Sequence, residues 1–260
     1  MLTEIADGVL VRQSRFCQSN AVLIRGPEGA LLVDPGVDGD DLTELADDLD
    51  GLGAVVTAGF STHPHWDHVL WHKRFGDVVR YGTGTCAAVS SARLGRLREM
   101  TAQAPGAPLD VVGAITALPE GSARVPLDGR SILVIEHQAH APGHAALLIE
   151  DAGVLVAGDM LSDVEIPLFD PDLSDQCAAY LTALDLLEAA GRNGVVTVVP
   201  GHGSIAHGAD VLRRIEADRS YVQALQNGID PADPRIGPDA TYGRDWLPEA
   251  HERNVRLAQR

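Results

Sequence analysis

Three histidines and an aspartate stand within the six residues His63-Pro64-His65-Trp66-Asp67-His68. Imidazole nitrogen and carboxylate oxygen are ligands that zinc accepts, and they also suit iron and manganese. Imidazoles this close repel one another once protonated, so the spacing points to a shared metal cation rather than to a polar loop. The preceding run, Ala54 to Thr62, is apolar and β-branched and reads as a buried strand. The run after it, Val69 to Phe75, has no Gly or Pro and can start a helix. The cluster is therefore expected on a loop where a strand ends, the rim at which α/β sheets bind ligands.

Four further residues follow apolar runs in the same way: Asp34, His144 in Ala141-Pro142-Gly143-His144, Asp159 after Gly158, and His202 in Pro200-Gly201-His202-Gly203. Two metals sharing a bridging oxygen need several protein ligands each. His63, His65, Asp67, His68, His144, Asp159 and His202 are enough to supply them. His72, His137, His140, His207 and His251 read first as polar surface residues.

The elements that must position these side chains follow from periodicity. Short strands are expected at 9–12, 21–24, 30–33, 78–82, 132–136, 145–150, 154–157 and 195–199, and Gly26-Pro27-Glu28-Gly29 marks a hairpin turn. Helical spacing covers 40–49, the start of 85–110, 178–190, 209–226 and 247–259. Two groups of strands, each followed by helices, predict two sheets packed together with helices outside. The chain reads as one domain, 1–260, with a C-terminal helical segment at about 209–260.

Bulk properties narrow the class. A chain of 260 residues with 45% hydrophobic and 22% charged residues can bury a sizeable core. Its net charge of −17 disfavours polyanionic partners, and no basic stripe suited to nucleic acid or membrane surface is visible. Cys17, Cys86 and Cys177 are odd in number and far apart, which fits free thiols in a reducing compartment. With no cationic leader and no apolar run of about 18 residues, a cytoplasmic location is expected.

With these motifs in hand the sequence resembles the metallo-β-lactamase-fold hydrolase superfamily. The match lies in HxHxDH (His63, His65, Asp67, His68), a following PGH histidine (His144), a GD aspartate (Asp159) and a late GHG histidine (His202). The early Leu32-Val33-Asp34-Pro35-Gly36 matches as well. The resemblance covers roughly residues 5 to 205. It implies an α/β fold, a four-layer αβ/βα sandwich of two mixed sheets with the metals at one edge. It assigns His63, His65 and His144 to a first metal and Asp67, His68 and His202 to a second, with Asp159 bridging and Asp34 orienting the loop. The cofactors it implies are two divalent ions, zinc first, with iron or manganese as alternatives.

The chemistry expected of such a centre is hydrolysis of an ester, thioester, lactone or amide bond in a small molecule by activated water. Asp67 is the candidate to orient the nucleophile or carry a proton. Trp66, Trp71, His72, Phe169 and the C-terminal Tyr242, Trp246 and His251 are candidates for the substrate wall, with helix packing the competing reading for Trp71 and Trp246, and Ile166 to Pro171 for a loop over the cleft. A glyoxalase II-like thioesterase and a non-hydrolytic di-iron redox enzyme are the alternatives.

Overall fold

The computed structural model describes residues 1–192 and 194–259. Strands β1 (Thr3–Ala6), β2 (Val9–Gln13), β3 (Asn20–Arg25), β4 (Ala30–Val33), β5 (Val56–Phe60), β6 (Arg80–Gly82) and β7 (Thr116–Ala117) form one sheet in sequence order. The first four pair antiparallel, and β4 to β7 run parallel. The second sheet has the order β12-β11-β10-β9-β8, from β8 (Ile132–His137), β9 (His144–Ile149), β10 (Val154–Gly158), β11 (Thr197–Pro200) and β12 (Ala206–His207). There β10 and β11 are the parallel pair.

Strand alternation explains the layering. Val22 and Ile24 of β3 face the second sheet, where they meet Ala145, Leu147 and Ile149 of β9 and Val154 and Val156 of β10. The intervening Ala21 and Leu23 turn outward onto Leu42, Leu45, Ala46 and Leu49 of α1 (Gly39–Leu52). On β9, Ala146 and Leu148 likewise turn outward, into a core with α4 (Gln176–Arg192), α5 (Ala209–Gln226) and α6 (Leu247–Ala258). A period of two with apolar residues on both faces requires a cover on each side. The result is two mixed sheets face to face with helices outside.

Two expected elements differ. Val69 to Phe75 is no helix: a turn leads to a single 3-10 turn at Lys73–Phe75. Val69 and Leu70 pack into one cluster and Trp71 into another. The helix expected at the start of 85–110 is broken at Arg93 into α2 (Gly84–Ala92) and α3 (Leu94–Thr101).

Parallel pairing fixes where the chemistry collects. Strands β4 and β5 end together, and so do β10 and β11. Asp34, the His63–His68 loop, Asp159 and His202 all follow those ends and meet at one edge of the sandwich. Among the described residues no helix is long and apolar enough to cross a membrane.

Candidate metal centre

Hydrogen bonds on the outer side of the histidine rings set the site. Asp34 follows β4 with φ +44°, a left-handed conformation that Asp tolerates better than most residues. Its carboxylate accepts from the Thr62 backbone N–H at 3.0 Å, from the Thr62 hydroxyl at 2.6 Å and from His68 Nδ1 at 2.9 Å. His68 must therefore present Nε2 to the interior. His202 is fixed in the same way, with Nδ1 donating to the Cys17 carbonyl at 2.9 Å and Nε2 facing inward. The Thr62 hydroxyl lies 3.0 Å from His63 Nδ1, again leaving Nε2 inward.

The inward atoms converge in two sets. In one, donor atoms of His63, His65, His140 and Asp159 all lie within 4.8 Å of one another. His63 Nε2 is 3.1 Å from His65 Nδ1, and His140 Nε2 is 3.0 Å from that same atom. Asp159 Oδ2 stands 3.4 Å from His63 and 3.2 Å from His140. In the other set, Asp159 Oδ1 is 3.1 Å from His68 Nε2 and 3.6 Å from His202 Nε2. Asp67 Oδ2 approaches His202 Nε2 at 3.3 Å and His68 Nε2 at 3.7 Å. Asp159 thus faces both sets, one oxygen to each.

His144 departs from expectation. It is buried, but both ring nitrogens are engaged: Nε2 accepts the Asp159 backbone N–H at 3.1 Å, and Nδ1 lies 3.1 Å from His137 Nε2. Since Nε2 is the acceptor, Nδ1 carries the proton and donates to His137. His144 opens β9 directly across from His137 in the register, so its ring stacks there and lies against Gly158. His140, read from the sequence as a surface residue, enters the cluster instead. It sits in the β8–β9 turn with φ +66°, a strained conformation for a non-glycine residue. The turn is clamped at Gly143, whose carbonyl accepts the Thr83 hydroxyl at 2.8 Å and whose φ is +74°. A Cβ there would strike the start of α2. The available signal was the pairing of His140 and His144 around a Pro-Gly turn, which puts the earlier histidine, not the strand residue, nearer the facing loop.

The substrate-wall candidates divide. Trp66 lies on the histidine loop and packs, partly buried, against Val37, Val69, Leu70, Leu97 and Val112. Trp71 is core: it packs with Leu42 and Phe75, and its indole N–H donates to the Gly76 carbonyl at 3.0 Å. His72 stacks edge-on with Phe75 rather than joining the cluster. Phe169 is buried against Tyr180, and its backbone N–H is held by Asn254, so Ile166 to Pro171 is anchored chain rather than a free cover. Trp246 is partly exposed and packs edge-on against Tyr242. The Tyr242 hydroxyl reaches both the Cys17 carbonyl and Glu165 Oε1 at 3.1 Å, which brings the C-terminal segment to the edge of the site.

The electrostatics call for cations. Burial would lower His68, yet Asp159, Asp34 and Asp67 outweigh it and hold the imidazole well above its ordinary range. His202 is likewise lifted against burial by Glu165, Asp159 and Asp67. Burial would raise Asp159, but His68, His202 and His63 hold its carboxyl well below the usual range. His65 is pushed down to about 3 by burial and by His140. His68 Nε2 and Asp159 Oδ1 are buried with no hydrogen-bond partner among the described residues. An imidazole nitrogen and a carboxylate oxygen, 3.1 Å apart and each without a hydrogen-bond partner, are a donor pair that suits a divalent metal ion.

Known proteins agree with this architecture. A beta-lactamase domain protein from Burkholderia ambifaria superposes with a TM-score of 0.66 at 23% identity, covering 87% of this chain and 78% of that one. A metallo-beta-lactamase from Pontibacter korlensis gives 0.60 at 16% identity, covering 86% and 98%. A metallo-beta-lactamase family protein from Thermus thermophilus gives 0.64 at 22% identity, covering 84% and 80%. In sequence, a hydroxyacylglutathione hydrolase from Thermosynechococcus vestitus is 32% identical over 159 residues, 59% of this chain. The match spans about half of that relative, 53% of its length. The family model for the metallo-beta-lactamase superfamily matches residues 14–202, from the loop that carries Cys17 to the last histidine of the cluster, and the chain belongs to that superfamily.

Proposed function

We propose that the protein is a metal-dependent hydrolase acting on an ester, thioester, lactone or amide bond of a small molecule. His63, His65 and His140 hold a first divalent ion, Asp67, His68 and His202 a second, and Asp159 serves both. The observation that carries this reading is the hydrogen bonding behind the ligands. Asp34 and the Cys17 carbonyl occupy the outer nitrogens of His68 and His202, so the inner ones are free to bind metal. Two such ions, zinc in the first instance, supply Lewis acidity and a water of lowered pKa. The chain's own part is to orient and to move protons. Asp67, the most solvent-accessible of the cluster carboxylates, is placed to accept a proton from the attacking water. Tyr242 and Trp246 bound the approach from the C-terminal side.

Within this class a thioester substrate is favoured by the similarity to the hydroxyacylglutathione hydrolase. The deciding experiment combines elemental analysis of the purified protein with a panel of thioesters, lactones, phosphoesters and β-lactams. Expected are two metal equivalents per chain and thioester turnover that chelation abolishes. Protein without a transition metal, or turnover indifferent to chelation, overturns the reading.

A further inference from the structure

The loop between β2 and β3 carries a thiol that the ligand set above does not use. This loop is held from several sides. The Gly203 N–H donates to the Gln18 carbonyl at 3.0 Å, and the Asn20 N–H donates to the Gly201 carbonyl at 2.8 Å. The Asn20 side-chain amide donates to the Pro200 and Gly203 carbonyls, both at 2.9 Å. The Cys17 carbonyl itself accepts from His202 and from Tyr242. Gln18 adopts φ +53°, so the chain reverses immediately after Cys17.

With its backbone fixed in this way, the half-buried Cys17 sulfur joins a carboxylate oxygen of Asp67 and a ring nitrogen of His202 in a set whose atoms all lie within 4.8 Å of one another. Asp67 and His202 belong to the second metal position. The unpartnered His68 Nε2, on a side chain only 1% exposed, converges with His202 on that same position. Cys86 offers a contrast: burial, with Asp34 adding, pushes its thiol up to about 12, and on α2 it joins no group of metal-donor atoms among the described residues.

We propose that Cys17 is a sulfur donor to the second metal position, beside Asp67 and His202. The inference rests on the metal-centre reading and extends it. On coordination the thiol proton leaves to solvent and the thiolate binds the ion. A soft donor added to nitrogen and oxygen ligands biases that position toward zinc or cobalt and away from manganese. The competing reading is packing alone, because Cys17 also touches the apolar cluster around Val69 and Leu97.

Cobalt separates the two readings without reference to turnover. The full chain is freed of metal and titrated with cobalt(II), and Cys17→Ser and Cys17→Ala are treated in parallel. Expected is a near-ultraviolet sulfur-to-cobalt charge-transfer band that grows with one of two bound equivalents. Both variants should lose the band, keep the visible ligand-field bands, and bind that equivalent at least tenfold more weakly. Two bound equivalents with no charge-transfer band, or a band that survives in the variants, overturns the role of Cys17 and leaves the metal centre standing. Failure to bind cobalt at all overturns the metal centre and this inference together.

Discussion

At the scale of single residues, the centre depends on which nitrogen each histidine turns inward. His140 and His144 are four positions apart, yet one joins the cluster and the other supports it from behind. Replacing His140 by Ala is expected to reduce bound metal from two equivalents to one. His144→Ala should keep both ions while weakening them roughly 10- to 100-fold, because it only orients Asp159. Elemental analysis and competition with a chelator distinguish these outcomes, and the reverse ranking would refute the assignment. His137, behind His144, gives a pH prediction. Burial, with His140 adding, pushes its imidazole down to about 3. The unfolded chain takes up that proton near the ordinary histidine range of about 6.5, while the folded chain refuses it until about 3. Its effect is nil above about pH 6.5 and becomes increasingly destabilising as pH falls. Metal-free protein should thus lose up to about 1.4 kcal/mol per pH unit through this group. His137→Gln keeps an acceptor for His144 and should flatten the slope of denaturation midpoint against pH.

At the scale of elements, the parallel strand ends place the ligands and a buried ion cluster holds the loop after Asp159. Arg235 donates to Asp218 at 2.6 Å and Asp233 at 2.7 Å, and also to the Ser162 and Glu165 carbonyls at 3.1 and 2.8 Å. Asp218, on α5, accepts the Leu161 N–H at 3.0 Å. The Ser162 hydroxyl in turn donates to the His202 carbonyl at 2.8 Å. The C-terminal segment therefore braces the loop after Asp159 and, through Ser162, the backbone of His202. Arg235→Leu leaves two buried carboxylates without their cation, and a loss of about 3–5 kcal/mol is expected by urea unfolding. The double variant Arg235→Leu/Asp218→Leu should recover part of it. Helix positions were largely legible from periodicity: the expected 209–226 matches Ala209–Gln226. Arg235 was not, because nothing in a Gly/Pro/Asp-rich stretch signals that its one arginine is buried.

For the whole molecule, the two halves of the chain share one edge, and metal should act as a clasp between them. Asp34 and the histidine loop come from the first sheet, while His140, Asp159 and His202 come from the second. An ion that binds only the folded state adds about 4 kcal/mol when its free concentration is about a thousandfold above its dissociation constant. Chelation is therefore expected to lower the melting temperature by roughly 10 °C or more, with recovery on adding zinc back. Calorimetry before and after chelation tests this, and an unchanged midpoint would show that no such clasp exists.

The sequence by itself determined the two-sheet layering, the strand ends and the side-chain types that gather there. Alternation of apolar residues and runs of ligand types are local, and local patterns survive in one dimension. Tertiary structure decided the identities that depend on side-chain direction. His140 in place of His144, Phe169 as core, and Cys17 at the site edge all arise where a turn or a cross-strand register aims a side chain at residues far away in sequence. Direction of that kind is set by packing between elements, which residue type and spacing do not encode.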